Sequence, residues 1–97
     1  MKYRQGFQLG DQEPIEISTE DLGLLKALEA VGQDNSQVTK ACKLVYKDHN
    51  LEGYWVLFDY DETDEETWDG DDGWIASENS DEDYDGFVSM LLVRNLR

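Results

Sequence analysis

The chain has 97 residues, 39% of them apolar, including three Trp, five Tyr and three Phe. That length fits one domain with a single modest core, and the bulky aromatics argue for a folded chain. A net charge of −15, from 23 acidic and 8 basic side chains, disfavours direct nucleic-acid and membrane binding and makes a basic protein surface or a divalent cation the natural counterpart.

In chain order, residues 2–9 alternate loosely, with Tyr3, Phe7 and Leu9 on one parity, and read as a strand. Gly10 and Asp11 begin a turn, and residues 14–17 form a short strand in which Ile15 and Ile17 share a face. Pro14 suits the start of that strand, where a missing N–H is harmless. Ser18 is the expected N-cap of the main helix, residues 19–31. Asp21 then completes an acidic variant of the capping box, and Glu20 and Asp21 occupy the first turn. Leu24, Leu25, Leu28 and Val31 follow helical spacing, and Gly32 supplies the stop.

Residues 36–47 admit two readings. As a helix capped by Ser36, they gather Val38, Ala41, Cys42 and Val45 on one face. As a strand, they turn Cys42, Leu44 and Tyr46 inward and Lys43 and Lys47 outward. The Val, Thr, Cys and Tyr content favours the strand. Residues 54–60 are an unbroken aromatic and β-branched run, the clearest strand in the chain. A shorter strand is expected at 73–76, and the apolar run 87–93 reads as a buried central strand. The sum is one α+β domain over residues 1–97: a mostly antiparallel sheet of five to six short strands packed against one main helix.

No Lys or Arg occurs between Lys47 and Arg94, while 16 carboxylates lie there and 14 of them fall within residues 59–85. Trp68, Trp74 and Tyr84 are interleaved with them. If the flanking strands are neighbours, the acidic loops emerge at one end of the sheet and form a single negative field. Such a field speeds association with a basic partner, and aromatic side chains at the centre of a contact give it holding power. Carboxylates at alternate positions, such as Asp59 and Asp61 or Asp81, Asp83 and Asp85, stand ~6.6 Å apart on a strand. A protein that binds phosphates can accept such a row. In surface character alone this is analogous to inhibitors that imitate DNA and to immunity proteins that plug basic nuclease clefts.

Residues 81–92 also resemble the calcium loop of EF-hand proteins. Asp81, Asp83 and Asp85 match the first three ligand positions, Gly86 the sharp turn, Val88 the usual aliphatic residue and Ser89 the ninth-position ligand. Leu92 stands where the family has a closing Glu, and residues 70–80 make a poor entering helix. The resemblance implies at best a low-affinity site, in the ~10⁻⁴–10⁻³ M range.

Catalysis is not expected. A domain this small hardly encloses the sugar-sized cleft that paired carboxylates need. His49, the single histidine, sits beside Asp48 in an expected loop. Cys42, the single cysteine, allows no intrachain disulfide and is expected to be a small buried hydrophobe. No Gly-rich phosphate loop or Cys/His metal spacing is present, so no cofactor is expected. The first residues lead into no signal-like stretch and nothing reaches transmembrane length, which makes a cytoplasmic location the expectation.

The leading expectation is a small acidic non-catalytic binding protein that engages a basic protein surface, as a nucleic-acid mimic or an immunity- or inhibitor-like decoy. Its expected contacts are Asp61, Asp64, Glu65, Trp68, Asp71, Asp72, Trp74, Asp81, Asp83 and Tyr84. Two alternatives stand beside it. One is a homodimer or larger structural assembly, held through residues 87–93 or an open sheet edge. The other is a weak calcium binder through residues 81–92, with Asp81, Asp83 and Asp85 as ligands.

Overall fold

Short runs rich in β-branched and aromatic residues recur along the chain, and among the described residues six segments become strands: β1 (Gln12–Ile17), β2 (Val38–Tyr46), β3 (Leu51–Phe58), β4 (Thr67–Asp69), β5 (Ile75–Ser80) and β6 (Val88–Asn95). The computed structural model describes residues 12–46, 50–59, 66–80 and 87–96; the expected strand at 2–9 and turn at 10–11 lie outside them. Every strand pairing among the described residues is antiparallel, in one sheet of order β1-β2-β3-β6-β5-β4. A helix, α1 (Leu22–Ala30), packs on one face. This is the small α+β architecture that the residue pattern predicts.

The helix begins later than its expected start at residue 19, because Asp21 and not Ser18 caps it. The Asp21 carboxylate accepts the Leu24 N–H at 3.1 Å. The Ser18 hydroxyl instead accepts the Glu20 N–H at 3.0 Å, within a turn that leads into the helix. Asp21 is thus the half-helical flanking residue, Glu20 precedes it, and neither lies in the first turn. At the other end Gly32 adopts φ 79. The N–H of Gly32 reaches the Glu29 carbonyl at 3.0 Å and that of Gln33 reaches Leu28 at 2.8 Å. Those two bonds make a Schellman motif, which needs a left-handed residue where Gly32 stands. Leu24, Ala27, Leu28 and Val31 form the buried stripe, with Leu25 half-buried beside it.

Residues 38–46 form a strand, as their composition favours, and Cys42, Leu44 and Tyr46 are buried while Lys43 is exposed. The direction called inward proves to be the sheet face away from α1. Cys42, Leu44 and Tyr46 pack there with Trp55, Leu57, Leu91 and Val93. The α1 side gathers Ala41, Tyr54, Val56, Phe58, Trp74, Ala76, Met90 and Leu92. Burial on both faces explains why β3 and β6 read as continuous apolar runs and not as alternating ones.

α1 crosses the strands. At its start a side chain on Gly23 would run into the Tyr54 hydroxyl of β3, and at its end the Trp68 indole of β4 donates to the Val31 carbonyl at 3.2 Å. Nine helical residues span about 14 Å, the same as the three strand spacings from β3 to β4. β6 lies between β3 and β5 and is paired on both sides. Within the apolar run, residues 88–93 therefore present no free backbone edge to a second copy.

Candidate functional site

The register fixes where the acidic segments attach. Phe58 pairs with Val88, and Val88 in turn pairs with Ser80. On the same side of the sheet the Glu78 N–H donates to the Glu66 carbonyl at 2.8 Å, which sets the start of β4 beside the end of β5. Segments 60–65 and 81–86 thus leave from neighbouring strand ends, and each contains four carboxylates in the sequence. Asp61, Asp64, Glu65, Asp81, Asp83, Tyr84 and Asp85 fall in these two segments and lie outside the described residues. Of the described carboxylates at this end, those of Asp59 and Glu66 are exposed and that of Glu78 is half-buried. The loop before β2 adds Asp34, whose carboxyl is held below its ordinary range by the Ser36 hydroxyl at 2.7 Å and the Ser36 N–H at 3.0 Å. The Asp59 N–H donates to the Gln37 carbonyl at 2.8 Å, tying that loop to the end of β3. Lys40 on β2 pairs with Leu57, one step in from this end.

The remaining acidic residues are elsewhere, so the expectation of one negative pole has to be divided. β4 runs away from the carboxylate-rich end, and Asp69 pairs with Ile75, which pairs with Val93. Five steps along β5 separate Ser80 from Ile75, about 16 Å. Asp71 and Asp72 therefore sit at the opposite end of the sheet, exposed in a short 3-10 turn, Asp71–Gly73. Asp72 takes φ 57 and Gly73 φ 82, and the Trp74 N–H returns to the Asp71 carbonyl at 3.1 Å. With Lys26, Glu29 and Ala30 of α1 the two aspartates line a groove of about 330 Å³.

Of the two tryptophans among the expected contacts, Trp74 is buried and Trp68 is half-buried. Trp74 is 3% exposed. Its ring lies 5.9 Å from that of Tyr54, and the Arg94 guanidinium stands 5.0 Å above it. Arg94 also holds Glu52, with Nη2 and Nε at 2.9 and 3.0 Å from Oε1, while the Tyr54 hydroxyl donates to the other oxygen at 3.3 Å. Burial first, and then the Glu52 carboxylate, push the Tyr54 hydroxyl up to about 12. Trp68 is half-buried against the α1 side of the core and spends its N–H on the helix terminus. The indoles are interleaved with acids along the chain because strand alternation turns one inward and the others outward. Thr67-Trp68-Asp69, followed by the Gly70–Gly73 turn residues, carries that signal, and it marks a hairpin that the sequence reading did not assign.

The flanks of the calcium-loop resemblance are strands β5 and β6, where EF-hands have helices. Ser89 is buried in β6 and donates to the Asn79 carbonyl at 3.5 Å, and Leu92 is fully buried in the core. The matching Val88 and Ser89, and Leu92 at the closing position, are thus committed to the sheet. Among the described residues no group of three or more His, Cys, Asp or Glu is placed to hold a metal ion, and no helix is long and apolar enough to cross a membrane. Cys42 is buried with its thiol free. Comparison with protein-family models, with curated proteins and with solved structures finds no match for this chain.

Proposed function

We propose that this chain is a non-catalytic binding module whose carboxylate-rich sheet end engages a basic protein surface, as a phosphate backbone does. The observation that carries the reading is the adjacency of the strand ends flanking residues 60–65 and 81–86. Both segments, with four carboxylates each in the sequence, begin and end at strand ends on the side of the sheet where Asp59 and Glu66 stand. Concentrated charge steers encounter and raises association rates, with an effect that falls steeply with ionic strength. The interior position of β6 favours this reading over self-association through residues 87–93. The test is affinity capture at low and high salt with wild type and with a variant carrying Asn at 61, 64, 81 and 83. The expected captured proteins are basic, are retained at low salt, and are lost from the variant. Capture of acidic or neutral proteins, indifferent to salt, would overturn the proposal.

A further inference from the structure

Charge steers a partner without fixing how it docks, and the open edge of the sheet supplies the missing geometry. β4 pairs with β5 so that Thr67 faces Ser77, Trp68 faces Ala76 and Asp69 faces Ile75. Continuing that register, the Glu78 N–H bonds the Glu66 carbonyl at 2.8 Å and the Gly70 N–H bonds the Trp74 carbonyl at 2.7 Å. In an antiparallel ladder, residue pairs that exchange hydrogen bonds alternate with pairs that do not. Glu66, Trp68 and Gly70 therefore point their backbone groups at β5. Thr67 and Asp69 point theirs outward, away from the sheet. Both residues are exposed, and among the described residues β4 is the last strand in the order.

The other edge differs. β1 contains Pro14, which lacks an N–H. Proline in an edge strand sits where the missing donor faces solvent, and it blunts that edge against pairing. β4 has no proline, and its flanks are acidic: Glu66, Asp69, Asp71 and Asp72 are all exposed.

We propose that β4 is the docking edge of the module, and that an extended basic segment of the partner protein adds to it as an antiparallel strand. The donor and acceptor of Thr67 and of Asp69 provide the main-chain bonds, as in other strand-addition complexes. Side-chain alternation then sets the partner's chemistry. A Lys or Arg opposite Asp69 meets its carboxylate on the face away from α1. On the α1 face a long basic side chain beside Glu66 lies along the open part of the Trp68 indole. The inference rests on the acidic-module reading and names the docking mode.

The probe is a synthetic peptide of alternating Lys and Thr, titrated calorimetrically at low salt into the full-length protein. A fully N-methylated analogue keeps its charge and loses every main-chain donor. Thr67→Pro deletes the outward N–H and leaves the β4–β5 ladder bonds in place. The expected result is a loss of about tenfold in affinity for Thr67→Pro, consistent with one unmade main-chain bond, at an unchanged urea midpoint. The N-methylated peptide should bind wild type more weakly than its parent does. A folded Thr67→Pro with wild-type affinity, or equal binding of the two peptides, overturns the docking mode; if Thr67→Pro fails to fold, the peptide pair alone decides. If the variant with Asn at 61, 64, 81 and 83 still weakens binding while those arms show no effect, the acidic module stands and only strand addition falls. If neither peptide binds at low salt, both readings fall.

Discussion

At one end of the sheet, where β3 and β5 finish and β4 and β6 begin, Asp59 and Glu66 hold their carboxylates in solvent. At the other end Glu52 accepts from Arg94 and Tyr54, Arg94 lies over Trp74, and Asp71 and Asp72 face Lys26 across a groove. The acidic residues at the two ends look alike along the chain. What separates them is a cation from 42 positions away and a tryptophan turned into the core. A carboxylate's role is set by its neighbours across strands, and a run of acids in the sequence does not reveal which of its members are already employed in holding the fold.

This contrast can be broken first at Trp74, where the largest effect on stability is expected. Trp74→Ala removes the ring beneath Arg94 and beside Tyr54, and should cost about 3–5 kcal/mol in urea unfolding. A cost near zero would mean that Trp74 is a surface residue after all. Gly70→Ala comes next. A Cβ there would lie 2.5 Å from the Ala30 carbonyl and 2.7 Å from the Val31 side chain, and backbone cannot step aside as a side chain can. About 1–3 kcal/mol of destabilisation is expected, the usual range for overpacking, read from the same unfolding curves.

The paired end also predicts an alkaline limb in stability. An unfolded tyrosine ionises near pH ~10, whereas the Tyr54 hydroxyl in the fold is pushed up to about 12. Below the unfolded value both states keep the proton and the contribution is full. As pH rises towards the folded value, the unfolded chain has released a proton that the native state still holds, so stability falls. Tyr54→Phe should flatten that limb relative to wild type in urea midpoints measured across it, and equal slopes would contradict the assignment. The smallest effect has the opposite sign. Asp71 and Asp72 stand near the carbonyl end of α1, where negative charge is unfavourable, so Asp72→Asn should stabilise the fold by about 0.3–1 kcal/mol. Asn tolerates the left-handed backbone at that position.

Much of the fold was legible because its signals are local. Leu24, Leu28 and Val31 announce the helix, Gly32 its end, and the runs at β3 and β6 their burial on both faces. The N-cap was misassigned because Ser18 and Asp21 are both good capping residues, and only the backbone geometry decides between them. β4 was missed because three residues carry too little alternation to stand out from the acids around them. The candidate site was legible in charge and not in arrangement. That residues 60–65 and 81–86 attach together, and that Asp71 and Asp72 do not join them, follows from pairing between strands far apart in the chain. The burial of Trp74 is hidden for the same reason: its flanking acids are adjacent in sequence, while the core it fills comes from α1, β3 and β6.

The most direct test of the account compares association kinetics with a captured basic partner for three proteins over a series of salt concentrations: wild type, the variant with Asn at 61, 64, 81 and 83, and Asp71→Asn/Asp72→Asn. The account predicts fast association for wild type that slows steeply with salt, slower association with a clearly shallower salt slope for the first variant, and a slope between those two for the second. Indistinguishable salt slopes for all three would contradict it.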